Sequence, residues 1–127
     1  MLNSNNIFGS LKLQQLWTNP SPTAPMGDYT ITIPETDSDY LIILFNDGST
    51  IYTDLIPYVV NMMAKAETNY QDSSPLRAGA SVSRLVRIIS KTQLKVIKAR
   101  LSEDYSSSYC KDDEGSMIPY QVLGLKL

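Results

Sequence analysis

Histidine is absent from all 127 residues of this chain. Its absence removes the commonest general base, the commonest metal ligand and the side chain whose charge switches near physiological pH. Cysteine occurs once, at Cys110. One cysteine forms no intramolecular disulfide and builds no cysteine-based zinc cage within a chain. Without an imidazole to activate it, Cys110 reads as a small packed residue rather than a nucleophile. Long apolar runs are missing as well. The longest, Leu41 to Phe45, is strand-sized, far short of the roughly 20 residues that a bilayer-spanning helix requires. The opening MLNSNNIFGS has neither the charged nor the apolar region of a secretory signal. Net charge is only −2, with a pI of about 4.9, so nucleic acid is not an expected partner. Taken together, these absences point to a non-enzymatic protein without cofactor, metal or membrane span.

What remains is an ordinary globular composition, 43% hydrophobic. The length corresponds to about one domain. A chain of this size buries roughly two-thirds of its unfolded surface, enough for a core without staples.

Strand signals dominate. Tyr29-Thr-Ile-Thr-Ile33 alternates at period two, with Tyr29, Ile31 and Ile33 on one face. Tyr40 to Phe45 is continuously apolar, the pattern of a central strand covered on both faces. Asn46-Asp47-Gly48-Ser49 is a hairpin turn in which glycine supplies the positive φ. Thr50 to Ile56 returns as its partner. Residues 58–71 fit either a helix of two to three turns or a strand followed by an irregular loop. Ser81–Ser90 and Thr92–Leu101 read as two strands joined near Lys91, with a helix as the rival. In the second, Lys95, Ile97, Ala99 and Leu101 share one side and Leu94, Val96, Lys98 and Arg100 the other, so neither side is purely apolar. That mixture is the mark of a strand near an edge or subunit contact. Ser102 to Ser116 is a polar loop, and Met117 to Leu127 a closing strand.

Three prolines within Pro20–Pro25 make residues 17–27 an extended segment, anchored by the large ring of Trp17. Ahead of it, Ile7, Leu11, Leu13 and Leu16 either line a short helix or strand or belong to an arm ordered by a partner. The expected organisation is an arm over residues 1–16 and a domain over 17–127. The expected fold is all-β, an antiparallel sandwich of jelly-roll-like character.

Leu16-Trp17-Thr18-Asn19-Pro20-Ser21-Pro22-Thr23 is similar to an LWTNPSPT opening found in small β domains of tailed-phage structural proteins. Asp39-Tyr40-Leu41-Ile42-Ile43 occupies the place of their next long strand. Ser83 to Leu94 resembles their SRxVxxSxTxIxF hairpin. Tyr109-Cys110 together with Ile118 to Lys126 resembles their NxYCIPYKIYGIK ending, split here by Lys111–Met117. The likeness covers most of residues 16–126. It implies a β-sandwich subunit of a fibre, tail tip or head decoration. Such a subunit is made in the host cytoplasm and located in the virion. It is usually a homo-oligomer, often a trimer, that contacts other virion proteins and, in some members, a host-surface glycan. It also favours strand over helix between residues 58 and 101. In many such proteins the domain ends a longer chain; here it is expected to stand alone, with residues 1–16 as its attachment arm.

Candidate surface residues follow from charge and aromaticity. Arg77, Arg84, Arg87, Lys91, Lys95, Lys98 and Arg100 supply seven of the eleven basic residues, with no acid between them. They form either a basic patch for an anionic surface or edge-strand protection. Of these, Arg84, Arg87, Lys95 and Lys98 are the interface candidates. Tyr105 and Tyr109 are candidates for adaptable contact or sugar stacking, since tyrosine offers area and a hydroxyl at small entropic cost; tyrosine also suits strands for its own sake. Asp37, Asp39, Asp47 and Asp54 cluster near turns. Their spacing matches no EF-hand loop, and they read as turn carboxylates rather than a calcium site. Asp112, Asp113 and Glu114 are read alike. A carbohydrate-binding module is the alternative function, and a two-carboxylate hydrolase the remotest.

Overall fold

The computed structural model describes residues 11–70, 80–97, 99–103, 110–113 and 115–127. Among them lie ten strands, β1 (Lys12–Thr18), β2 (Tyr29–Thr32), β3 (Tyr40–Asp47), β4 (Thr50–Pro57), β5 (Met63–Tyr70), β6 (Ala80–Ser90), β7 (Gln93–Val96), β8 (Ala99–Glu103), β9 (Cys110–Asp113) and β10 (Ile118–Lys126). All pairings are antiparallel. They assemble two sheets packed as a β-sandwich.

The first sheet runs β1-β10-β3-β4. Its centre is β10 and β3, and β4 forms an edge as the return of the β3–β4 hairpin, closed by Gly48 and Ser49 with Asp47 opposite Thr50. Gly48 has φ 68° at the first of the two loop positions, where a II′ turn requires glycine.

The second sheet is built on β6, the longest strand. One edge of β6 takes β5. The other edge takes two short strands in succession, β8 beside Ala80–Ser83 and β7 beside Val86–Ser90. β2 then flanks β7, and β9 flanks β8. Four of the nine connections between successive strands pass from one sheet to the other, as jelly-roll connections do. The rest stay within a sheet.

The core is the layer between the sheets. The first sheet contributes Leu41, Ile43, Phe45, Ile56 and Val122; the second contributes Ile31, Val82, Val86, Ile88, Leu94 and Val96. Full burial of each large aliphatic or aromatic side chain stabilises by roughly 1.5–3 kcal/mol. One open side is tied by Asp54, whose Oδ2 accepts the Lys65 N–H at 2.8 Å. On the opposite side the Trp17 and Tyr29 rings meet, with centroids 6.4 Å apart.

Several expectations are corrected. Residues 12–16 are not arm: they belong to β1, paired along β10 from Lys126, so the boundary at residue 16 falls inside a strand. Residues 1–10 lie outside the described residues. Residues 63–70 are strand, as the resemblance favours, but the irregular part comes before the strand, at Tyr58–Met62, rather than after it. Cys110–Asp113 is a strand rather than part of a polar loop.

The mixed strand Thr92–Leu101 is in fact two. Leu94 and Val96 are buried, and so is Ala99. Two residues separate Val96 from Ala99, so the alternation slips by one across the break. Each half then turns an apolar side inward. An uninterrupted period-two reading hides this and makes the strand look amphipathic on neither face.

Close packing fixes Gly124 on the inner side of β10. A Cβ there would lie 2.1 Å from Ser38 Oγ and 3.2 Å from Leu16 Cδ1. Gly124→Ala therefore overpacks the layer and is expected to destabilise by about 1–3 kcal/mol, read as a lower urea midpoint with an unchanged m-value.

Candidate functional site

Each strand gives one face to the core, which leaves each sheet one outer face. The two outer faces differ in chemistry, and they are the surfaces on which function can rest.

The second sheet's outer face carries the predicted basic residues only in part. Arg87 and Lys95 are exposed and directly opposite one another on β6 and β7. Like charges across an antiparallel pair are unfavourable, so this pair is a positive spot rather than a stabilising contact. Arg100 is also exposed. On β5, Lys65 pairs with Glu67. Lys91 serves the fold: its Nζ donates to Tyr58 O at 2.8 Å and lies 4.1 Å from the Tyr58 ring centroid. Tyr58 donates its hydroxyl back to Lys91 O. Burial pushes the Tyr58 phenol above its usual range, and the charge of Glu35 adds to that. Lys98, Tyr105 and Tyr109, together with Arg77 and Glu114, lie outside the described residues.

Arg84 is a correction. It is 1% exposed and belongs to the core, not to an interface. It shares the inward parity of Val82, Val86 and Ile88 on β6, and the small Ala66 opposite makes room. Nη1 donates to Met26 O at 2.7 Å and to Ile97 O at 3.4 Å, and Nη2 to Ser116 O at 2.8 Å. A buried guanidinium is tolerable only when its donors are satisfied. The strand break at Ile97 frees one acceptor. Met117, held at φ 49° with a fully buried side chain, accompanies the turn that supplies another. The signal was in the sequence: Arg84 falls on the even positions with the valines.

The acidic residues do not simply build turns: Asp54 lies within β4 and Asp112 and Asp113 within β9, while Asp39 and Asp47 tie distant segments. Asp39 accepts the Leu127 N–H at 2.9 Å and faces Lys126 Nζ at 3.5 Å. These hold its carboxyl below the usual range, the Leu127 backbone bond foremost. Asp47 accepts the Met117 N–H at 3.4 Å. Among the described residues no three acidic or cysteine side chains group as metal ligands, and no pocket is found.

The first sheet's outer face was missed by sequence reasoning. Tyr40–Phe45 is not covered on both sides: Leu41, Ile43 and Phe45 are buried, but Ile42 and Leu44 are only half-buried. The pairing register aligns apolar residues across all four strands. Leu13, Leu125, Tyr40 and Pro57 form one row; Gln15, Leu123, Ile42 and Leu55 form the next. Gln121, Leu44 and Thr53 follow, then Asn46 and Ile51. No outward position of these rows carries a charge. Leu13, Leu55 and Ile51 are 64%, 52% and 48% exposed, and no described strand packs over them. Isolated surface leucines are commonplace, but a continuous apolar patch of this kind marks an interaction site.

Arg84→Met keeps much of the volume but orphans the carbonyls it holds. It is expected to lower unfolding free energy by about 1–3 kcal/mol, with Arg84→Lys in between because a single ammonium cannot fork. Equilibrium denaturation measures both. Asp39 gives the acid dependence a sign. Its folded pKa is depressed, so its contribution is present above the unfolded value and lost as pH falls below about 4. Asp39→Asn is expected to flatten that limb of Tm against pH.

Comparison with known proteins returns no matching family model, curated protein or solved structure.

Proposed function

We propose that this chain is a non-enzymatic structural subunit of a bacteriophage virion, in a fibre, tail tip or head decoration. It associates with copies of itself and with other virion proteins, and its exposed loops are left for contact with the host. The uncharged outer face of the first sheet carries this reading. Water-exposed apolar area is unfavourable by about 25 cal/mol per Å², and association removes that cost without any chemistry. The resemblance of Leu16–Thr23 and Ile118–Lys126 to phage structural domains supplies the virion setting.

A carbohydrate-binding module is the second reading, favoured by one observation. Tyr29 is 45% exposed beside the half-buried Trp17, and such an aromatic edge can stack a sugar ring.

Mass spectrometry of purified particles, from a phage that encodes this sequence, tests the first reading. The protein is expected in gradient-purified virions at the stoichiometry of a structural component. Its absence from particles despite expression in infected cells would refute that reading. A glycan array tests the second: binding that Tyr29→Ala abolishes would establish it, and no binding would dismiss it.

A further inference from the structure

We infer that the partner on the first sheet's outer face is the same face of a second copy, packed about a two-fold axis. The inference rests on the assembly reading and gives it a partner and a symmetry. Three features single out a second copy.

The first is charge. A face with no charged position disfavours any partner that brings charge into the contact, because an unpaired charge loses its water. On this protein the second sheet's outer face presents Arg87, Lys95 and Lys65. It would bury those cations against leucine and isoleucine. The first sheet's face against itself buries none.

The second is shape. A four-stranded sheet with β3 eight residues long spans about 19 Å by about 26 Å, from strand spacing and rise per residue. That is a footprint of roughly 500 Å² per copy and roughly 1,000 Å² for the pair, the size at which specific interfaces begin. Sheet faces already pack this way inside sandwiches, about 10 Å apart and within about 30° of alignment.

The third is placement. The most exposed side chains, Leu13 on β1 and Leu55 on β4, stand near opposite edges of the sheet, with the half-buried Ile42 and Leu123 between them. These apolar side chains span the width of the sheet, so the same patch can meet itself about a two-fold axis lying in the plane of the face. A self-complementary face gives an isologous contact, which closes at two copies. The solution unit is thus a dimer, where the resemblance alone implies three copies.

Light scattering on the full chain, across micromolar to submillimolar concentration, is the test. Wild type is expected as a dimer whose association is insensitive to salt, since the contact holds no charge. Leu55→Lys places like charges in both halves of the contact and should weaken dimerisation by at least about 100-fold. The circular dichroism of the folded sheet should stay unchanged, because residue 55 already faces water. Leu13→Lys is the second variant, should the first fail to fold. Arg87→Glu, on the other sheet, should leave the dimer intact. A monomeric wild type, a trimer, or a dimer broken by Arg87→Glu but not by Leu55→Lys or Leu13→Lys overturns the pairing. None of these results bears on presence in particles, so the virion reading fails only on its own experiment.

Discussion

One apolar layer lies between the two sheets, and a strand can give that layer only every second side chain. The remaining features follow from that constraint. Side chains not claimed by the layer form the two outer faces, and the register between strands decides which of them stand together. On the β6 side charged residues, Arg87, Lys95 and Lys65, are mixed with Leu85, Ile89 and Met63. On the β3 side leucine, isoleucine and tyrosine stand among glutamine, threonine and asparagine, with no charge among them. That difference between the faces is the observation on which the proposed association rests.

The same constraint gives Arg84 its place. Alternation in β6 directs the residue inward, and a buried guanidinium must find acceptors. It takes backbone carbonyls from three separate segments, at Met26, Ile97 and Ser116. The proline-rich connection, the strand break and the turn before β10 are thereby joined to one strand. The break between β7 and β8 has two consequences that belong together: it exposes a carbonyl for the arginine and restores the inward parity of Ala99. A regular strand would have satisfied neither.

Association through a neutral sheet face also accords with what the chain lacks. There is no histidine for acid–base work, and three described carboxylates accept backbone N–H groups from other segments: Asp39 from Leu127, Asp47 from Met117, Asp54 from Lys65. Trp17 and Tyr58 spend aromatic area on packing within the sandwich. Burial between copies is the work we propose for this architecture, in the virion setting that the resemblance of its opening and closing segments implies.

The sequence by itself determined the all-β class, the hairpin at Gly48 and the places of β3, β4 and β10. These are local matters, since period-two patterning and turn chemistry act over a few neighbours. Tertiary structure alone decided the rest. The strand character of residues 63–70 came from pairing with β6, because alanine and methionine suit a helix equally well. Arg84 was misplaced at the surface because charge was weighed before parity, and only the packed sheet shows Ala66 clearing its space. The uncharged outer face of the first sheet was invisible for a plainer reason: Leu13, Leu123, Ile42 and Leu55 come from four separate strands, and their alignment exists only once the register is set.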